Sequence, residues 1–215
     1  MAFPLTALCL LDYTDLGGGE TSFVAFARAA AARPEALRLV AIVRGDGPLP
    51  DALRGVGGQL EIVDYPLRLR RGPKPVLARD AVAQIGALID RHRPDLVHAN
   101  NFFGLAWGGR AARRRRLPVV WTCHGWWELN NIPKRWLARW LADRVLCVSE
   151  AVRRAADRQL GGRVPTQVEH LGIAPLSEGE TAEDRHRLRA EVRREMGVPP
   201  DRPLLGIVAR FQPFK

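Results

Sequence analysis

An α/β fold, a doubly wound and mostly parallel sheet with helices on both faces, is the architecture this sequence predicts, and three observations lead to it. Short runs rich in Val, Ile and Leu alternate with amphipathic segments of helix length, the signature of βαβ units. The runs are apolar almost throughout, as strands covered on both faces are. Several stop at a polar residue or a glycine. That ending delivers side chains to the carboxyl edge of a sheet, outside which ligands bind in open α/β folds.

The candidate strands are Leu5–Leu11, Leu37–Val43, Leu60–Val63, Asp95–Ala99, Val119–Cys123, Arg144–Val148 and Thr166–His170. The first ends at Asp12, and Leu16-Gly17-Gly18-Gly19-Glu20 leads into a helix over Thr21–Arg33 that Pro34 stops. Glycines between a strand and a helix N-terminus let an anion approach the backbone, where free N–H groups and the helix dipole favour it. The run is neither GxGxxG nor a Walker loop, and a tight turn would use the same residues. Arg44–Gly58 reads as a Gly/Pro-rich loop with a short turn at Asp51–Arg54. Tyr65–Pro75 carries Arg68, Arg70, Arg71 and Lys74, a basic loop whose simplest reading is a solvated one. The helix Val76–His92 puts Ala78, Val82, Ile85 and Ile89 on one face, a core stripe.

Asp95–Ala99 runs on into Asn100 and Asn101; His98 within it reads as structural. A helix follows to Arg116, and its closing Arg113–Arg116 either satisfies the helix C-terminus or grips phosphates or lipid headgroups. The strand Val119–Cys123, opened by Pro118, ends in His124-Gly125, so the imidazole would leave the same edge as Asn100 and Asn101. From Asn131-Ile132-Pro133 a helix runs to about Asp143, with Trp136, Leu137, Trp140 and Leu141 in one stripe. Packing on the sheet is the commoner use of such a stripe; an interfacial membrane helix is the other. Ser149 caps Glu150–Leu160, which Gly161 ends. Thr181-x-x-Asp184 resembles a capping box for a helix with Leu188, Val192 and Met196, and a fresh strand, Leu204–Ala209, precedes Arg210 and Lys215.

Composition narrows the partners less than the pattern does. Lys and Arg outnumber Asp and Glu by 33 to 23, a net charge of +10 that favours polyanions or anionic surfaces. The basic residues are spread over separate loops and only 2 tyrosines are available for stacking, which argues against nucleic acid. Cys9, Cys123 and Cys147 stand at no metal-ligand or redox spacing, and the 5 histidines none either, so no metal site is expected. The cysteines read as small buried hydrophobes of a reducing compartment. The N-terminal segment lacks a basic n-region and there is no apolar run of about 18 residues, so the cytoplasm is the expected location.

Taken in order, the motifs resemble a known enzyme family. They are the Gly-Gly-x-Glu loop after the first strand, His after Asp-Leu-Val, the strand ending His-Gly, and Ala-Asp-Arg-Val-Leu-Cys-Val-Ser. Leu-Gly-Ile before a linker helix and Val-Ala-Arg-Phe-Gln-Pro-Phe-Lys complete the order. The resemblance is to the retaining GT-B glycosyltransferases of family four. It implies two Rossmann-like halves around a cleft, the first binding mainly the acceptor and the second a nucleoside-diphosphate sugar. On that pattern residues 1–175 are the acceptor-side domain, 176–199 a linker with its helix, and 200–215 the first strand of a truncated donor-side domain.

The resemblance also assigns roles. Gly17 and Gly18 match a glycine pair lying against the donor diphosphate or the acceptor. His124 matches a histidine that hydrogen-bonds the transferred sugar, and Arg210 and Lys215 match the basic pair that neutralises the departing diphosphate. Asn100, Asn101 and Gly125 occupy positions that contact acceptors. The donor substrate would be the nucleotide sugar, with no cofactor and no catalytic metal; the acceptor would be a glycan, a lipid-linked or a small molecule. An anionic membrane surface is a further expected partner, with the protein peripheral on the inner membrane face. Two departures from the pattern are Leu171-Gly-Ile-Ala174 at the interdomain turn and Gly19, where alanine is usual. A hexosyltransferase active only as part of a full-length protein is therefore expected. An epimerase of nucleotide sugars on the same frame, or a basic polyanion- or membrane-binding module, would be the alternatives.

Overall fold

The computed structural model of the chain describes residues 4–64, 79–172 and 181–207. Its strands are β1 (Leu5–Leu10), β2 (Leu37–Val43), β3 (Leu60–Asp64), β4 (Leu96–Ala99), β5 (Val119–Cys123), β6 (Arg144–Cys147) and β7 (Thr166–Val168). All pair in parallel in one sheet of order β3-β2-β1-β4-β5-β6-β7. The helices are α1 (Gly18–Ala31), α2 (Pro48–Arg54), α3 (Arg79–His92), α4 (Phe102–Arg113), α5 (Ile132–Leu141), α6 (Glu150–Leu160) and α7 (Ala182–Glu195). This is the expected Rossmann-like α/β architecture. Chain order reverses at β1, which pairs with β2 on one side and β4 on the other; Cys9 lies opposite both Ala41 and His98. A reversal of this kind opens a crevice beyond the carboxyl ends of the two central strands.

Strand periodicity sorts the core into two layers. Ala7, Cys9 and Leu11 face α1 and α2 together with Leu39, Ala41 and Val43. Leu8 and Leu10 face the other way, into a larger cluster with Val97, Trp121, Cys123 and the inner faces of α3 to α6. Helix α4 is buried along most of its length because Gly104 and Gly108 let its backbone settle on Leu10, and Gly109 does the same against Leu141. All three cysteines are free and buried, and desolvation pushes the Cys9 and Cys147 thiols up to about 12 and about 11.

Several local expectations are corrected. Helix α1 starts at Gly18, three residues before the predicted Thr21, so Gly18 and Gly19 form its first turn. Glu20 accepts the Gly17 N–H at 3.2 Å and the Thr21 N–H reaches the Gly17 carbonyl at 2.9 Å, enough to carry two glycines that each cost about 1 kcal/mol in a helix. Helix α2 replaces a predicted loop because Pro48 fixes the first helical φ and Leu49 and Leu53 are fully buried. The predicted Trp136/Leu137/Trp140/Leu141 stripe divides. Leu137 and Leu141 are buried, whereas Trp136 and Trp140 are exposed. Of the four closing arginines, Arg115 chelates Asp90 of α3 and Arg113 holds the Trp140 carbonyl and Asp143, so these two tie helices together.

Two compact units are distinguished, Met1–Ile173 with the whole sheet and Ala174–Lys215 with α7. In the second, Thr181 and Asp184 do form the capping box, and Arg193 is buried with its guanidinium on the carbonyls of Pro199 and Arg202. Leu204–Ile207 is not a strand, contrary to expectation. Leu205 and Ile207 are 96% and 94% exposed, and an extended segment needs a neighbouring strand to become part of a sheet. Val208 and Ala209, Ala78, and the Arg68, Arg70, Arg71 and Lys74 loop lie outside the described residues.

Candidate functional site

Three chain crossings meet at the reversal. Strand β1 delivers the glycine turn and α1, β4 delivers Asn100 and Asn101, and β5 delivers His124 and Gly125. The helix end is an anion-accepting one, since the first N–H groups of a helix have no intrahelical partner and carry its partial positive charge. Gly18 faces open space, with nothing within 4 Å of where a Cβ would stand. Gly19 does not. A Cβ there would lie 2.9 Å from His124 Cε1 and 3.0 Å from Nε2, so the imidazole rests on the first turn of α1 and only glycine leaves it room. The departure noted at residue 19 thus has a steric reason in this chain.

The His124 ring donates to the Asn100 carbonyl, while Nε2 is buried and has no hydrogen-bond partner in the protein. Burial holds the ring's pKa below that of an ordinary histidine, with the Asn100 carbonyl and the Glu20 charge pulling the other way. A neutral imidazole presenting one free nitrogen can hydrogen-bond a substrate hydroxyl. Asn100 and Asn101 are also buried, and the Nδ2 of each is without a partner. Asn101 uses its Oδ1 to cap α4, accepting the Gly104 N–H at 2.8 Å. At the end of β1, Asp12 is 9% exposed with Arg44 3.7 Å away, and burial pushes its carboxyl up to about 6. His98 is spent on structure, as expected. It pairs with Thr122 Oγ1 at 2.8 Å beneath Phe23 and Phe26, and burial lowers it to about 4.

One further residue holds this edge together. Glu128, in the 3-10 turn Trp126–Leu129, is 7% exposed and accepts the His124 backbone N–H at 2.7 Å. The Phe102 N–H at the start of α4, the Trp121 indole and the Lys134 ammonium also act on it. Burial outweighs them all and pushes its carboxyl up to about 7. Glu128 therefore ties the end of β5 to the start of α4, fixing His124 against Asn100 and Asn101. The only signal in the sequence was a carboxylate four residues after the histidine, within Trp-Trp-Glu-Leu. Gly125 is extended and lies directly under the Trp127 indole, which a Cβ would strike. Arg210 and Lys215 lie outside the described residues. Among the described residues no three His, Cys, Asp or Glu side chains gather as for a metal.

A family model described as Glycosyltransferase Family 4 matches residues 16–175, most of the chain. The chain belongs to that glycosyltransferase family. No curated protein matches it in sequence. Among solved structures, Alr3699/HepE of Anabaena in complex with UDP and glucose is 22% identical, with 86% of this chain and 50% of that one covered and a TM-score of 0.64. A glycosyltransferase from Rickettsia africae is 17% identical over 93% of this chain and 51% of its own, with a TM-score of 0.63. A putative UDP-N-acetylglucosamine 2-epimerase from Listeria monocytogenes is 14% identical over 74% and 43%, at 0.54. These likenesses establish a shared fold. The family member described here spans about half the length of the Alr3699/HepE and Rickettsia structures.

Proposed function

We propose that the protein of which this chain forms the acceptor-side domain transfers a hexose from a nucleoside-diphosphate sugar to an acceptor hydroxyl, with retention at the anomeric carbon. One observation carries the reading. The polar atoms buried without a protein partner, His124 Nε2 and the Nδ2 of Asn100 and Asn101, lie at one strand edge beside an open helix N-terminus. Leaving such groups unmatched costs about 1–3 kcal/mol each, a cost that a hydroxyl-rich ligand relieves. The N–H groups of Gly18 and Gly19 suit a diphosphate or an acceptor oxygen at the mouth. As the anomeric C–O bond to the diphosphate breaks, negative charge grows on the leaving group, and Arg210 and Lys215 are the cations assigned to it. Residues 176–199 serve as the linker and residues from 200 open the donor-side domain, so the 215-residue chain alone is expected not to turn over. The UDP-bound and UDP-glucose-bound states of the HepE structures support a nucleotide sugar as donor. The cytoplasm, where the buried thiols stay reduced, is the proposed location.

The test is transfer from a radiolabelled nucleotide sugar by the full-length protein, with the product anomer read by NMR. His124→Ala should lower kcat by roughly 100-fold or more while leaving the melting temperature nearly unchanged. Loss of folding instead would make the histidine structural. The epimerase reading is favoured only by the shared frame. Its acid and base would have to come from Glu128, whose Oε1 is taken by the His124 backbone N–H, or from Asp12 at the end of β1. Conversion of the nucleotide sugar in the absence of any acceptor would nonetheless decide for it.

A further inference from the structure

The segment that leaves the crevice becomes an apolar surface. Trp126, Trp127, Ile132, Trp136 and Trp140 fall within fifteen residues and are 59%, 47%, 76%, 63% and 50% exposed. Ile132, Trp136 and Trp140 recur every fourth residue along α5, so they share its outer face, while Leu137, Ala138 and Leu141 take the inner one. The Trp136 and Trp140 rings are stacked 6.1 Å apart, and Trp126 and Trp127 meet edge to face at 6.2 Å. Helix α5 is thus apolar on both faces, which neither its own stability nor the core requires. Along α5 the exposed Ile132, Trp136 and Trp140 form one apolar stripe, and exposed apolar surface of this kind marks an interaction site.

The charge beside it says what kind. From Trp126 to Leu141 the sole carboxylate is Glu128, which is buried; Lys134, Arg135 and Arg139 are the other ionic groups. Arg135 donates to the Leu129 carbonyl and Arg139 to those of Leu160 and Gln159. These partners are backbone carbonyls, so the hydrogen bonds bring no carboxylate to either guanidinium. Tryptophan with flanking arginine matches a bilayer interface, where indoles sit at headgroup depth and anionic lipid attracts each basic side chain by about 1 kcal/mol. The outer face of a single helix is convex and offers no groove for a peptide. Among the described residues no helix is long and apolar enough to cross a membrane, so contact would be along the surface.

We propose that the outer face of α5, formed by Ile132, Trp136 and Trp140, docks this domain on an anionic lipid bilayer. The inference goes beyond the transfer reaction and does not depend on it, because lipid alone reads it out.

The experiment is co-sedimentation of the 215-residue chain with phosphatidylcholine vesicles, with and without phosphatidylglycerol, at low and high salt. Partition should rise roughly tenfold or more with the anionic lipid at low salt and fall back at high salt. The doubly substituted Trp136→Ser, Trp140→Ser chain should lose about that whole factor. Quenching of the unmodified chain's tryptophan fluorescence by brominated phosphatidylglycerol is a second readout that needs no variant; it should be strong only with the anionic lipid. Equal binding to both vesicle types, unchanged binding by the variant, or no quenching would overturn the proposal. So would a dimer that the same substitutions dissolve while vesicles bind nothing, since the occupant would then be a second copy.

Discussion

The carboxyl ends of β5 and β6 are neighbours in the sheet, each leads into a helical segment, and they differ in polar accounting. After β6, Ser149 accepts the Val152 N–H at 3.2 Å to cap α6, and Arg153 links Glu150 to Asp157 at the surface. Among the described residues the one polar atom of that stretch both buried and unmatched is Gln159 Oε1, at the far end of α6; none lies at the strand end itself. After β5 and β4, His124, Asn100 and Asn101 each keep a buried polar atom without a protein partner. Equal topology with unequal satisfaction separates a structural strand end from one built for a ligand. Asn101 after β4 and Ser149 after β6 both cap a helix, so capping alone is no guide to function.

Gly19→Leu should break the contrast most severely. A side chain there displaces the imidazole, and transfer by the full-length protein should fall roughly 100-fold with no loss of the α6 end; kcat with a thermal melt checks this. Unchanged kcat would mean the ring's seat on α1 is irrelevant.

Glu128→Gln should alter how stability varies with pH. The carboxyl rises from 4.5 to about 7 on folding, so the folded state holds a proton that the unfolded chain releases in that window. Its contribution is least unfavourable below 4.5 and worsens as pH climbs to about 7. The glutamine variant lacks this loss. Relative to the parent it should gain on the order of 2–3 kcal/mol between acid and neutral pH, read by urea unfolding. His98, lowered to about 4, acts oppositely and stabilises as pH rises towards 6.5, so the difference between the two chains is the quantity to measure.

The paired cap variants give the finest cut. Ser149→Ala and Asn101→Ala should each cost about 1 kcal/mol in chemical denaturation. Only the second should also raise KM for the acceptor, because only Asn101 offers a spare amide to the crevice.

Much of this was legible in the sequence, for reasons visible in the same residues. Parallel strands buried on both faces read as solid apolar runs, which is why β2 and β5 have the predicted bounds. Glycine signals turns, so the start of α1 was put too late; tertiary contact with His124 and the Glu20 bond overrode propensity. The strand-end residues at 100, 101 and 124 could be named because polar side chains at the ends of apolar runs are conspicuous. Glu128 was hard to weigh, since a carboxylate among tryptophans looks like surface until burial is known. Periodicity likewise grouped Trp136 with Leu137, because a stripe on one side of a helix wheel does not say which part of it faces the sheet.

The central claim, that the sugar-handling crevice lies at the joined ends of β1, β4 and β5, is tested most directly by titrating the full-length protein with a nucleoside-diphosphate sugar and acceptor while following side-chain NMR signals. The account predicts that the His124 ring and the Asn100 and Asn101 amides shift saturably, with the residues around Ser149 and Arg153 unmoved. Shifts confined to the β6–β7 end, or none at His124 under conditions where transfer proceeds, would contradict it.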